Sequence, residues 1–185
     1  KIYVQGIGKN RNYSYMSKEN VLSALPSLSY VPVVGHLLPK YDDNGNVVGH
    51  YFGGHDYEIT SDWKLKALTV PFGVVVEDSF EFEDVEEFGQ MVPYLTAKVI
   101  LWESRYPELK DAIYSEDVWF NQSMEINVDE YRPFEEDSNY TELLKWSYSA
   151  LCLLGLSDVK EEHTEPCFIS SKVVPEEFDF NKAEF

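Results

Sequence analysis

Positive charge is what this chain has least of. Its 185 residues carry 15 lysines and arginines against 33 aspartates and glutamates, a formal net charge of −18. A surface that acidic repels phosphate backbones and anionic headgroups, which argues against DNA, RNA and membrane-surface binding. Cysteine is also scarce. Cys152 and Cys167 are the two present, each among apolar neighbours, which reads as reduced thiols in a reducing cytoplasm more readily than as a disulfide framework. No apolar run approaches membrane-spanning length, and no charged segment followed by an apolar stretch opens the chain. Three Asn-x-Ser/Thr triplets, beginning at Asn12, Asn121 and Asn139, therefore read as chance.

What is present is apolar bulk. Hydrophobic residues make up 44% of the chain, and 13 Tyr, 11 Phe and 4 Trp are too many large rings for a self-solvating polymer. One compact domain is the expectation at this length. Ser17 precedes Lys18 to Leu25, where its hydroxyl can cap a helix that Pro26 must end. Tyr30 to Val34 is a β-branched run bounded by Gly35, and Asp42-Asp43-Asn44-Gly45-Asn46 supplies a hairpin turn. Trp63 to Val70 and Thr96 to Leu101 alternate apolar and polar residues, the period of half-buried strands. The seven acids between Glu77 and Glu87 read as a solvated face or loop. Pro107 to Tyr114 opens with a proline suited to a helix's first turn. Ser123 to Val128 reads as a strand, and Lys145 to Leu154 as a strand or the end of a helix. Many strands with few short helices predict an α+β, mainly β domain whose sheet is closed or nearly closed into a barrel.

Catalytic and ligand motifs are few. There is no His-Glu-x-x-His, no Cys-x-x-Cys and no Gly-x-Ser-x-Gly elbow, and Gly6-Ile7-Gly8 lacks the third glycine of a nucleotide loop. The segment from Asp42 to Asn46 lacks the distal glutamate of a calcium loop. Of four histidines, His36, His50, His55 and His163, the best placed is His55 in Phe52-Gly53-Gly54-His55-Asp56, where paired glycines permit close backbone approach. A serine on the polar face of a strand can serve as a nucleophile. Ser123 has that form, with Glu125 and Asn127 on its face and Met124, Ile126 and Val128 turned to the core. His36, His50, His55 and Asp56 also fall close together in sequence, an imidazole and carboxylate set that suits zinc or iron.

Seven blocks in order carry a family likeness: Gly8-Lys9-Asn10-Arg11-Asn12, Val31-Pro32-Val33-Val34-Gly35, Gly53-Gly54-His55, Thr69 to Val75, Phe120 to Ile126, Tyr148 to Gly155, and Glu165-Pro166-Cys167-Phe168. Through nearly its whole length the chain resembles the capsid maturation (prohead) proteases of tailed phages, in the variety fused to a scaffold segment. That family is similar to the herpesvirus assembly proteases, serine peptidases on a β-barrel surrounded by helices. In them a histidine precedes the serine and a third polar residue follows on a later strand. The resemblance implies Ser123 as nucleophile and His55, 68 residues earlier, as base, with His36 as the second choice. At the third position the chain departs from the pattern, with Tyr148 and Ser149 where relatives carry histidine or an acid. Ser149, Glu125 and Glu165 are the alternatives for the orienting group. Arginines that relatives place after this strand are replaced by Leu156-Ser157, which leaves the oxyanion to backbone amides.

The implied function is a cofactor-free serine endopeptidase that cleaves scaffold and major capsid protein segments, and its own tail, inside the procapsid in the host cytoplasm. A homodimer stays open, and neither nucleic acid nor membrane is an expected partner. Residues 1–174 would be the protease domain and 175–185 an acidic tail leading to a scaffold segment. Two alternatives stand beside this one: an inactive protease-fold assembly module, suggested by the missing third residue, and a metal-dependent hydrolase built on His36, His50 and His55.

Overall fold

The computed structural model describes residues 1–113, 120–155 and 164–175. The chain opens with strands β1 (Ile2–Gly6), β2 (Gly8–Lys9) and β3 (Ser14–Met16), then helix α1 (Lys18–Ala24) and a 3-10 turn at Leu25–Ser27. Ser17 caps α1 as its sequence predicts: its backbone is extended and its hydroxyl accepts from the Asn20 amide at 3.2 Å. Pro26 falls inside the 3-10 turn, where its missing amide costs nothing. Strands β4 (Pro32–Gly35), β5 (Leu37–Tyr41) and β6 (Val47–Phe52) follow. The last two form a hairpin whose turn is tied by the Asp42 carboxylate, which accepts from the amides of Asn44 at 2.9 Å and Asn46 at 2.8 Å, with Gly45 at φ +82°.

Next come β7 (Tyr57–Ile59), β8 (Leu65–Ala67), β9 (Val70–Val75), β10 (Glu81–Glu87), β11 (Gln90–Ala97) and β12 (Val99–Leu101). Helix α2 (Glu108–Ile113) matches the predicted second helix. The long strands β13 (Phe120–Pro133) and β14 (Thr141–Leu154) and the short β15 (Lys172–Val173) are the last elements among the described residues. The Lys145 to Leu154 run is thus strand throughout.

Eleven strands share one sheet, whose main path runs β10-β11-β1-β15-β13-β14-β4-β9-β12, with β3 added parallel to β14 and β2 paired to β3. The fold is mainly β with a few short helices. Among the described residues no closed barrel forms: the hydrogen-bonded path ends at β10 on one side and β12 on the other. The sheet nevertheless curls strongly. β11 lies second on the path and β12 last, yet only Lys98 separates them in the chain. The Val76 amide donates to the Lys98 carbonyl at 2.9 Å, tying the end of β9 to that junction.

One face of the curled sheet is the main core. Leu151 and Leu153 of β14 lie there without measurable exposure, packed among Ile2, Val33, Phe52, Leu95 and Leu109. The opposite face of β14 carries a second, smaller apolar cluster, Val34, Ala150, Cys152 and Leu154. Both faces of the central strands are therefore covered, and a buried residue there has no single direction that means "inward".

Three sequence readings change. Trp63 to Val70 is not a half-buried strand: Trp63 sits in a turn at φ +62°, and β8 is exposed along its length in a separate two-stranded sheet with β7. Thr96 to Leu101 is two strands broken at Lys98, and Thr96 is as buried as Ala97. The acidic segment is in large part an edge strand, β10, whose Glu83 is engaged by Lys1 and Tyr3 and whose Glu87 is engaged by Tyr94. His163, Leu156, Ser157 and the tail from Glu176 lie outside the described residues.

Candidate functional site

The second face of β14 is where the polar chemistry gathers. β13 and β14 pair antiparallel with Ser123 opposite Cys152 and Glu125 opposite Ala150. Directly opposed residues on antiparallel strands share a face, so Ser123, Glu125 and Cys152 stand on the same side. β4 adds Val34 beside Cys152 by parallel pairing. Ser123 and Glu125 are two residues apart on one strand, which sets them roughly 6.7 Å apart along the sheet.

Residues 53–56 fold over this face after β6. The Gly53 amide donates to the His36 carbonyl at 2.8 Å, the Gly155 amide to the Gly53 carbonyl at 3.4 Å, and the Cys152 thiol points to the Gly54 carbonyl at 3.9 Å. Both glycines are needed for closeness, not for unusual dihedrals. A Cβ on Gly53 would collide with the Asp56 carboxylate, and one on Gly54 would meet the Thr164 hydroxyl at 2.8 Å.

This loop presents two histidine–carboxylate pairs. His55 Nδ1 lies 3.0 Å from Glu125 Oε1, and His36 Nδ1 lies 2.7 Å from Asp56 Oδ2. Asp56 Oδ2 also accepts from the Gly54 amide at 3.2 Å, so the second pair braces the loop that carries His55. The first pair is partly shielded, with the His55 side chain 31% and the Glu125 side chain 27% exposed. An imidazole that donates through Nδ1 keeps Nε2 as its acceptor, which is the arrangement a general base requires.

The thiols share the neighbourhood. Burial, together with the charges of Glu125 and Asp56, pushes the Cys152 thiol up to about 12. Cys167 is also raised, chiefly by burial, against the opposing effect of its hydrogen bond with the Ser123 hydroxyl. Ser123 itself is buried, 8% exposed.

Of the candidates named from sequence, the structure brings Ser123, His55 and Glu125 onto one face. His36 sits beside them but is joined to Asp56. Ser149 does not join them: it falls in the β-bulge between the pairs Glu125–Ala150 and Ile126–Tyr148, where it is exposed. Tyr148 projects to the other side of the sheet, into the main core, and its hydroxyl donates to Gln5 Oε1 at 2.7 Å. Glu165 is ion-paired with Arg11. His50 lies on β6 opposite Pro39, so the three histidines proposed as ligands do not form a set; among the described residues the gathered group is His55, Glu125 and Cys152. The sequence marks Cys152 and Cys167 only as reduced thiols among apolar neighbours, and Asp56 only as part of a metal set. Their places here depend on strand pairing and loop closure that no local pattern carries.

A family model described as the YonD N-terminal domain matches residues 1–185. No curated protein and no solved structure matches the chain.

Proposed function

We propose that this chain, which belongs to the YonD N-terminal domain family, is a serine endopeptidase of phage capsid maturation, with Ser123 as nucleophile, His55 as base and Glu125 as the group that orients it. The observation that carries the reading is the bond from His55 Nδ1 to Glu125 Oε1 at 3.0 Å, on the face of β13 that also bears Ser123. The spacing of roughly 6.7 Å between residues i and i+2 of a strand is what one imidazole ring with a hydrogen bond at each end can bridge. Glu125 thus supplies the third position that Tyr148 and Ser149 leave empty.

In the reaction, His55 Nε2 removes the Ser123 proton as Oγ attacks a peptide carbonyl. Glu125 keeps the proton on Nδ1 and stabilises the imidazolium that forms. The imidazolium then protonates the leaving amine, and water, activated by the same ring, releases the acyl group from Ser123. Before attack, the Ser123 hydroxyl must close on the ring, a tightening common when substrate arrives. Cys152 is the wrong nucleophile for this site, because a thiol beside two carboxylates in a buried position resists ionisation. The substrates in this reading are scaffold and capsid-protein segments and the enzyme's own tail, and the reading takes the curled sheet, with β11 running on into β12, as the counterpart of the assembly-protease barrel.

The test is incubation of the domain with a longer precursor that carries a scaffold segment, with fragments mapped by mass spectrometry. Wild type should cleave, and His36→Ala, which loses one arm of the brace on the loop, should cleave more slowly, while Ser123→Ala and His55→Ala should not cleave. Cleavage by Ser123→Ala at the wild-type rate, no cleavage by wild type, or activity in His55→Ala with none in His36→Ala overturns the assignment.

A further inference from the structure

We propose that His55, Glu125 and Cys152 form a binding site for a thiophilic divalent transition metal of the zinc class. One donor atom from each lies within 4.8 Å of the other two. The three come from separate elements, the loop after β6, β13 and β14, so their convergence is a product of the fold. The donor set is imidazole, carboxylate and thiol, which suits zinc and its neighbours and does not suit magnesium or calcium. Donors on one tetrahedral ion with bonds of 2.0–2.3 Å stand about 3.5 Å apart. Closing the cluster from its present span needs a shift of about 1 Å, within side-chain adjustment.

The electrostatics favour a cation. Glu125 brings its own carboxylate to the cluster, and Asp56, one residue beyond His55 and paired with His36, adds a second on the same loop, so an ion there meets negative charge. Binding releases one proton: the Cys152 Sγ–H bond breaks as the metal–sulfur bond forms and the proton passes to buffer. If the ion takes Nδ1, the ring proton moves to Nε2, and no further proton is lost. Ser123, directly across the strand pair from Cys152, is not a ligand in this assignment. The site stands independently of the peptidase reading. Only its consequence rests on that reading: a metal on His55 removes the base, so the bound ion inhibits cleavage.

The experiment is a cobalt(II) titration of the full chain, then displacement by zinc. Wild type and Ser123→Ala should each take one ion with a near-ultraviolet thiolate-to-cobalt charge-transfer band, and zinc should bleach it. Calorimetry in buffers of different ionisation enthalpy should report about one proton released per ion. Cys152→Ala should lose the band, and Cys167→Ala should keep it. His55→Ala, which alters a partly exposed loop residue rather than the interior, should weaken binding tenfold or more, so the test survives if Cys152→Ala fails to fold. No band in wild type, a band that persists in Cys152→Ala, or unchanged affinity in His55→Ala overturns the proposal. A band in Ser123→Ala with no cleavage by wild type freed of metal by chelator would sink the peptidase reading alone. Cleavage by wild type with no band would sink the metal site alone.

Discussion

Replacing Glu125 by glutamine keeps the side chain's shape and removes its charge, which isolates what the carboxylate does for His55. At the observed 3.0 Å, the attraction between a carboxylate and the developing imidazolium is about 5.5 kcal/mol at an effective dielectric of 20 and about 1.4 kcal/mol in bulk water. Both side chains are roughly a quarter to a third exposed, so the true value lies between these limits. Converted to rate, the loss in kcat is about 10-fold to 10⁴-fold. A glutamine amide that donates to Nδ1 also forces the proton onto Nε2, the wrong tautomer for a base, which places the expectation at the upper end, about 10³-fold to 10⁴-fold. The assay is steady-state cleavage of a peptide carrying the mapped site. The kcat should fall with KM nearly unchanged, since Glu125 is assigned no contact with substrate. Glu125→Asp, which restores the charge at a longer reach, should recover part of the loss. Thermal unfolding should move by no more than a few degrees, because a partly exposed pair contributes about 0–1 kcal/mol to stability. A Glu125→Gln enzyme within threefold of wild type would refute the orienting role, and a matched rise in KM would show that Glu125 binds substrate instead.

Two further outcomes follow from other parts of the fold. Gly53→Ala would drive a methyl group into the Asp56 carboxylate that braces the loop through His36 and the Gly54 amide, so cleavage should fall tenfold or more while Gly49→Ala, which meets open space, stays at wild-type activity; equal activities by peptide assay would refute the bracing. Burial raises the phenols of Tyr148 and Tyr94 above their ordinary 10.0, so the unfolded chain ionises first: their contribution to stability is full below pH 10 and is lost as pH rises beyond it. Tyr148→Phe, which leaves the buried Gln5 carbonyl oxygen without that donor, should cost about 1–3 kcal/mol at pH 7 and progressively less above pH 10, measured by urea unfolding across that range. A constant difference between the two proteins would refute the linkage.

Local chemistry explains what could be read from the sequence and what could not. The Ser17 cap, the Asp42–Asn46 turn and the Ser123 strand are governed by neighbours within four residues, and each forms where its residues demand. The exposed β7–β8 hairpin shows the limit of period-two patterns: alternation at Trp63, Leu65 and Ala67 neither keeps Trp63 in the strand nor decides whether anything covers the face that Leu65 and Ala67 share. Tyr148 shows another. Counting by twos back from Cys152 puts Tyr148 on its face, but the bulge at Ser149 inserts one residue, and a single inserted residue reverses the direction of the side chains before it as far as the next bulge. Tyr148 therefore enters the main core while Cys152 enters the second face. The pairing of His55 with Glu125 spans 70 residues and is fixed by how the 53–56 loop closes over β13.

That closure follows from packing on both faces of one strand. Leu151 and Leu153 hold β14 against the main core, while Cys152 and Leu154 must be covered on the other side. Water cannot cover them without losing about 25 cal/mol for each Å² of apolar surface left exposed, so a segment of chain has to. The segment that does so after β6 is compact enough because Gly53 and Gly54 have no Cβ, and in closing over Cys152 it carries His55 to Glu125 and Asp56 to His36. The polar site is in this sense built by the demand to bury the second apolar cluster. A variant that enlarges that cluster, Ala150→Leu, should therefore disturb the His55–Glu125 distance before it disturbs the main core. Loss of cleavage with an unfolding midpoint within a few degrees of wild type is the expected result. Full activity together with a lowered midpoint would show that the loop and the cluster are uncoupled.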